Sequence, residues 1–174
     1  MEARRVPDNQ PVRILVFADC RDRVIPPLPP TYFGNCICPG VAQTTAKQLL
    51  EGDMSFAAGL IEEVIKSCKS EVQLNNYIDW IESRNLCVFD VYDHRYCVSV
   101  VGSPRYTVYD DIDFGWGKPL SVQPATINEI GAMVLVAGRA GGGSIDVSTR
   151  LPRDQMETLK RILTSRAEAL PCRL

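Results

Sequence analysis

Apolar positions along this chain keep two different periods. From Val12 to Cys20 the run Val-Arg-Ile-Leu-Val-Phe-Ala-Asp-Cys is short, β-branched and mostly apolar, the signature of a buried strand. The cluster Pro26 to Pro30 forces an irregular, extended crossing, because proline fixes φ and restricts the residue before it. A second strand is expected over Tyr32 to Ala42, with bends or bulges at Gly34 and Pro39. The period then lengthens. Ala57, Leu60, Ile61, Val64, Ile65 and Cys68 recur at helical spacing behind Asp53 as N-cap, so this helix should pack on a sheet. A further helix around Val72 to Arg84 carries Tyr77, Ile78, Trp80 and Ile81, with Asn85 as its stop.

The second half reads as strands and turns. Cys97 to Val101 and Arg105 to Tyr109 flank the turn Gly102-Ser103-Pro104, the latter as a strand leading onward. Met133 to Gly138 and Ser144 to Ser148 flank Gly141-Gly142-Gly143, the pattern of an antiparallel hairpin. A phosphate-cradling loop is the competing reading of the three glycines, but the G-x-x-x-x-G-K-[ST] pattern is absent. Pro152 opens a final helix whose Met156, Leu159, Ile162 and Leu163 should face inward. Strands alternating with helices predict an α/β fold with a mixed sheet. Residues 1–11 form a loose lead-in, 12–170 one domain and 171–174 a tail.

Composition narrows the function classes. With 174 residues, 45% apolar and 23% charged, the chain suits one globular domain with a real core. A net charge of -2 with scattered Lys and Arg offers no basic stripe for nucleic acid. No apolar run reaches the ~20 residues needed to span a bilayer. Seven cysteines, Cys20, Cys36, Cys38, Cys68, Cys87, Cys97 and Cys172, are odd in number and widely spaced, and no apolar signal core follows Met1-Glu2-Ala3-Arg4-Arg5. Free thiols in a reducing cytosol are the expectation. Cys36 and Cys38 share one face of a strand, which would suit half a metal site, but no second pair stands at ligand spacing, and buried apolar thiols are the simpler reading.

Two blocks carry chemistry-like information. The first is Asp113-Phe114-Gly115-Trp116-Gly117-Lys118-Pro119, in which two glycines, two aromatics and a carboxylate make a sharply bent object with Gly115 and Gly117 at positive φ or in close backbone approach. The second is Asp19-Cys20-Arg21-Asp22-Arg23, then Pro26-Pro27-Leu28-Pro29, then Tyr32-Phe33-Gly34-Asn35-Cys36. Together they resemble the D-F-G-W-G signature and the D-x-R-x-R, P-P-L-P, Y-F-G-N run of the plant BAHD acyl-CoA-dependent acyltransferases, within the clade acylating anthocyanins and phenolic glycosides. The likeness runs from Val12 through Arg105-Tyr106-Thr107-Val108-Tyr109 to Leu151-Pro152-Arg153-Asp154-Gln155-Met156, and matches the C-terminal part of a family member only. The resemblance implies the C-terminal lobe of a chloramphenicol acetyltransferase-like fold, incomplete here.

The same resemblance assigns roles. Asp113 is either a solvated turn carboxylate in the acidic run 110–113 or, as the family implies, an ion-pair partner of Arg21 or Arg23, with Arg21 favoured. One residue more than the family usually shows lies between the Val108-Tyr109 segment and the signature, so Asp110 or Asp111 is expected to bulge and shift that pair. Phe114, Gly115, Trp116, Gly117, Tyr32, Phe33, Gly34 and Asn35 complete the structural motif, with no catalytic residue among them. The family's His-x-x-x-Asp base is absent: the one histidine, His94, is followed four residues later by Val98 and is expected to be exposed or on an edge strand. Acyl transfer to a hydroxyl needs a general base, so this polypeptide alone is expected to be inactive. Lys118 and Arg139 could meet the phosphates of coenzyme A or lie solvated on the surface. No cofactor is expected to be held tightly, and an acyl-CoA such as malonyl-CoA is the implied co-substrate. The readings left open are a truncated acyltransferase, a non-catalytic protein that dimerises or binds and inhibits a full-length relative, and an incomplete gene product.

Overall fold

The architecture is built around β1 (Pro11–Asp19), which pairs on both sides. The structure is a computed structural model that describes residues 1–68, 70–83, 93–125, 127 and 130–169. β2 (Ile37–Thr45) runs antiparallel to β1, and β3 (Cys97–Ser103) runs parallel to it on the other side. β4 (Ala132–Ala137) lies parallel to β3, and β5 (Ile145–Thr149) closes an antiparallel hairpin with β4. The sheet order is β2-β1-β3-β4-β5, mixed as expected. The hairpin is shut by the Gly138 N–H donating to the Ser144 carbonyl at 2.7 Å.

Period-2 alternation decides which face of β1 the helices cover. Ile14 stands opposite Ala42, Val16 opposite Gly40, and Ala18 opposite Cys38. Onto this face α2 (Met54–Cys68) lays Leu60, Ile61, Val64 and Ile65, packed against Ile14, Val16 and Ala42, as its helical spacing requires. Asp53 caps α2 by accepting from the Phe56 N–H at 2.9 Å and the Ser55 hydroxyl at 2.6 Å. α3 (Glu71–Glu82) adds Leu74 and Tyr77 to a neighbouring cluster with Ala18, Cys20, Cys38 and Cys68, and stacks Tyr77 on Trp80 at 5.6 Å. The expected stop at Asn85 lies outside the described residues.

Five expectations change. The strand expected from Tyr32 begins only at Ile37, and Pro39 makes no bulge: it pairs in unbroken register with Phe17, tolerated because β2 is an edge strand whose missing N–H costs no ladder bond. Residues 105–109 form turns instead of a strand. The first residues are not loose. Residues 2–4 make a 3-10 turn with Ala3 and Val6 buried, and Arg4 donates to the Cys97 carbonyl at 2.7 Å. The final helix, α4 (Arg153–Ala169), packs on that turn, but Leu163 is 58% exposed where an inward position was expected. A short helix, α1 (Ala46–Glu51), follows β2 directly, opened by a capping box in which Thr45 and Gln48 exchange bonds at 3.2 Å.

Gly40 is the tightest point of this packing. A Cβ there would run into Cys68 Sγ and Val64 Cγ1, so glycine is what lets α2 approach the sheet. Gly40→Ala is expected to destabilise the domain by about 1–3 kcal/mol, the usual cost of overpacking, without loss of the fold. An unchanged melting temperature would show that α2 sits farther from β2.

Candidate functional site

The first sequence block folds into a corner closed by Arg21. Its guanidinium pairs with Asp19 at 2.9 Å and donates to the Gly34 carbonyl at 2.5 Å, joining the end of β1 to the approach to β2. The Arg21 N–H also donates to Asp19 at 3.1 Å. This backbone bond, together with the guanidinium, holds the Asp19 carboxyl below the usual carboxylate range. Arg23 turns to its neighbour Asp22 at 3.1 Å. The Tyr32 ring folds over Gly34, where a Cβ would lie 2.7 Å from the Tyr32 hydroxyl oxygen. Phe33 and Asn35 are exposed, Phe33 fully.

The signature segment is a self-contained turn. Asp113 Oδ1 accepts from the Gly115 N–H at 2.7 Å and the Gly117 N–H at 3.1 Å, and both glycines take positive φ, 94° and 93°, as expected from their spacing. A single carboxylate oxygen thereby satisfies two consecutive bends. Phe114 and Trp116 point outward, 82% and 93% exposed, so the Trp116 indole needs no buried acceptor.

The expected ion pair between Asp113 and Arg21 is not formed, and Arg23 does not supply it either. Each of the three charges finds partners within a few residues, and ordering a long-range pair between exposed groups would gain little. The additional acidic residues also act differently from the expected bulge. The Asp110 and Asp111 N–H groups both donate to the Thr107 carbonyl, Asp111 bonds the Thr107 hydroxyl, and Asp110 pairs with Lys118 at 2.6 Å, winding the segment into turns. Lys118 is therefore engaged across its own loop, and Arg139 reaches the Leu120 carbonyl at 3.4 Å.

Sequence reasoning placed the cysteines inside but missed their convergence. Cys20, Cys38 and Cys68 are buried together with Cys36 at their edge, and all are free thiols. Cys20 continues the ladder beyond Asp19, its N–H donating to the Cys36 carbonyl at 3.0 Å. Burial pushes the Cys38 thiol up to about 12, with the neighbouring Cys68 and Cys20 adding to the rise, which marks it as an inert core group. Cys97 is buried separately, while Cys87 and Cys172 lie outside the described residues. Among the described residues no group of three or more His, Cys, Asp or Glu is arranged to hold a metal ion. The backbone of His94 opens a 3-10 turn, His94–Tyr96, and its side chain lies outside the description. A second missed feature is Tyr109, whose hydroxyl donates to Asp146 on β5 at 2.8 Å.

A family model described as the Transferase family matches residues 1–164. The chain belongs to the BAHD acyltransferases. The BAHD acyltransferase DCR of Arabidopsis thaliana is 40% identical over 145 residues, covering 83% of this chain and 30% of its own. The malonyl-CoA:anthocyanidin 5-O-glucoside-6''-O-malonyltransferase of the same plant is 33% identical, covering 80% of this chain and 31% of its own. The chain thus spans about a third of the length of these BAHD relatives. Among solved structures, vinorine synthase superposes with a TM-score of 0.67 at 24% identity, over 88% of this chain and 35% of that one. The F. sporotrichioides TRI101 complexed with coenzyme A and T-2 gives 0.77 at 16% identity, over 91% and 38%. Both carry the same fold as the mixed sheet described above.

Because Asp113 serves its own turn, Asp113→Ala is expected to accelerate amide exchange at Gly115 and Gly117 while lowering global stability by no more than ~1 kcal/mol. A loss of ~3 kcal/mol or more, the size expected of a stranded buried ion, would contradict that reading.

Proposed function

We propose that these residues form the C-terminal scaffolding part of an enzyme that transfers an acyl group, malonyl or hydroxycinnamoyl, from its coenzyme A thioester to a hydroxyl or amine acceptor such as a phenolic glycoside. The observation that carries this reading is the match of one family model along nearly the whole chain, with the signature turn preformed within it. The donors and acceptors follow relatives described as malonyltransferases, coumaroyltransferases and phenolic glucoside malonyltransferases. Malonyl-CoA is accordingly the donor to try first. The motif residues Arg21, Arg23, Tyr32, Phe33, Gly34 and Asn35 and the turn 113–117 serve as structure, not as acid, base or nucleophile.

Acyl transfer requires a base that takes the proton from the acceptor hydroxyl. Among these 174 residues His94 is followed at the fourth position by Val98, so the His-x-x-x-Asp pattern is not supplied here. The polypeptide by itself is therefore expected to turn over no substrate, and acyl transfer would need a base supplied from outside these residues. No described helix is long and apolar enough to cross a membrane, and the free thiols suit a cytosolic setting.

One observation favours a second reading, in which the chain is a non-catalytic partner that dimerises or binds and inhibits a full-length acyltransferase. Phe33, Phe114, Trp116 and Leu120 all expose large apolar surface. Two measurements separate the readings. Isothermal titration with coenzyme A and malonyl-CoA is expected to show micromolar affinity, on the order of -8 kcal/mol, with no acyl transfer by the isolated chain. Absence of binding combined with inhibition of a complete relative would favour the partner role, and turnover by the purified chain would overturn the missing base.

A further inference from the structure

Between residues 104 and 125 every side chain but one is exposed or half-exposed; the exception is Tyr109, 7% exposed. Its hydroxyl joins three stretches of chain. It donates to Asp146 Oδ2 on β5 at 2.8 Å and accepts the Val122 N–H at 3.2 Å, so one oxygen ties the entry limb of the signature loop, its exit limb and the sheet. The chemistry suits the task. A phenol has one proton to donate and lone pairs to accept with, and a carboxylate acceptor makes the donated bond charge-assisted. The bond to Asp146 also pushes the Tyr109 pKa up, keeping the proton in place.

The remaining bonds of the loop do not do this. Asp113 with Gly115 and Gly117, Asp110 with Lys118, and Thr107 with Asp111 are all internal to the loop and would survive if it swung as a unit. Among the described residues only two further bonds reach from the loop to hairpin residues, the Ala137 N–H to the Tyr106 carbonyl and Arg139 to the Leu120 carbonyl, and both are long at 3.4 Å. Phe114 and Trp116 are themselves too exposed to anchor anything.

We propose that Tyr109 and Asp146 form a clasp that holds the signature turn against β5, with Tyr109 the positioning residue that fixes how Phe114 and Trp116 are presented. The clasp stands on geometry alone and does not depend on which acyl group, if any, the protein handles. Asp146 lies opposite Val136 on β4, so the hairpin is the platform and the loop is the part held. The clasp also gives the exposed aromatic pair a defined place despite its lack of packing.

The test is a double-mutant cycle read by local probes in the full chain. In a Trp80→Phe background Trp116 is the single tryptophan, and its time-resolved anisotropy reports the freedom of the turn. Tyr109→Phe and Asp146→Ala are each expected to raise Val122 amide exchange about tenfold, as loss of one buried hydrogen bond would, and to increase Trp116 mobility. The double variant should do no more than either single change, and Asp146→Asn, which keeps an acceptor oxygen, should restore most of the order. Leu15 amide exchange in β1 should not change. Unaltered Val122 and Trp116 signals, additive effects of the two substitutions, or an equal rise in exchange at Leu15 would each overturn the proposal. Failure of both single variants to fold would overturn it too, since Tyr109 would then be a core residue.

Discussion

The structure depends on β1 being hidden. Val12, Ile14, Leu15 and Val16 are all buried, in a strand that has a neighbour on each side and a helix packed over the Ile14 and Val16 face. β2 and β3 supply the neighbours, and α2 supplies one cover through Leu60, Ile61, Val64 and Ile65. Gly40 sets how close that cover can come. The thiol cluster fills the next corner along the same face, where Ala18 meets Cys38 and Cys20 continues toward α3. Small, soft side chains there let three segments meet closely, and their raised pKa values follow from burial.

Away from the core, the charged groups of the two motif blocks are satisfied locally. Arg21 with Asp19, Arg23 with Asp22, Asp110 with Lys118, and Asp113 with its own turn all join residues close in sequence. Short-range partners cost little loop-closure entropy, while a distant pair must first order the chain between them. The two motif blocks are therefore two independent pieces of local architecture. Arg21 shuts the long connection between β1 and β2, and Asp113 shapes a turn that projects two aromatic rings. The shortest bond from the loop to the hairpin is that of the neutral Tyr109 hydroxyl to Asp146, beside two longer ones at 3.4 Å.

Much of this was legible in the sequence where periodicity and local chemistry act alone. The β-branched run of β1, the helical spacing of α2 behind Asp53, the glycine hairpin between β4 and β5, and the positive φ of Gly115 and Gly117 all follow from short-range rules. The failures have separate physical causes. The Thr107 carbonyl accepts from the Asp110 and Asp111 N–H groups and the Thr107 hydroxyl donates to the Asp111 carboxylate, so residues 105–109, strand-like by composition, coil into turns. Pro39 reads as a break only if the position of β2 at the sheet edge is unknown. The capping box of Thr45 and Gln48 was visible in the sequence and marks the helix that was missed. Which residues meet across long separations, such as the four cysteines or Tyr109 with Asp146, is set by topology that no local pattern encodes.

For a member of the BAHD family spanning about a third of its relatives' length, the central claim is that the two family blocks are held independently, each by its own contacts. The most direct measurement is the coupling energy between Arg21 and Asp113 from chemical denaturation of Arg21→Ala, Asp113→Ala and the double variant. Independent sites predict additivity within about 0.5 kcal/mol. A coupling of ~1 kcal/mol or more would place the two side chains in contact and contradict the account.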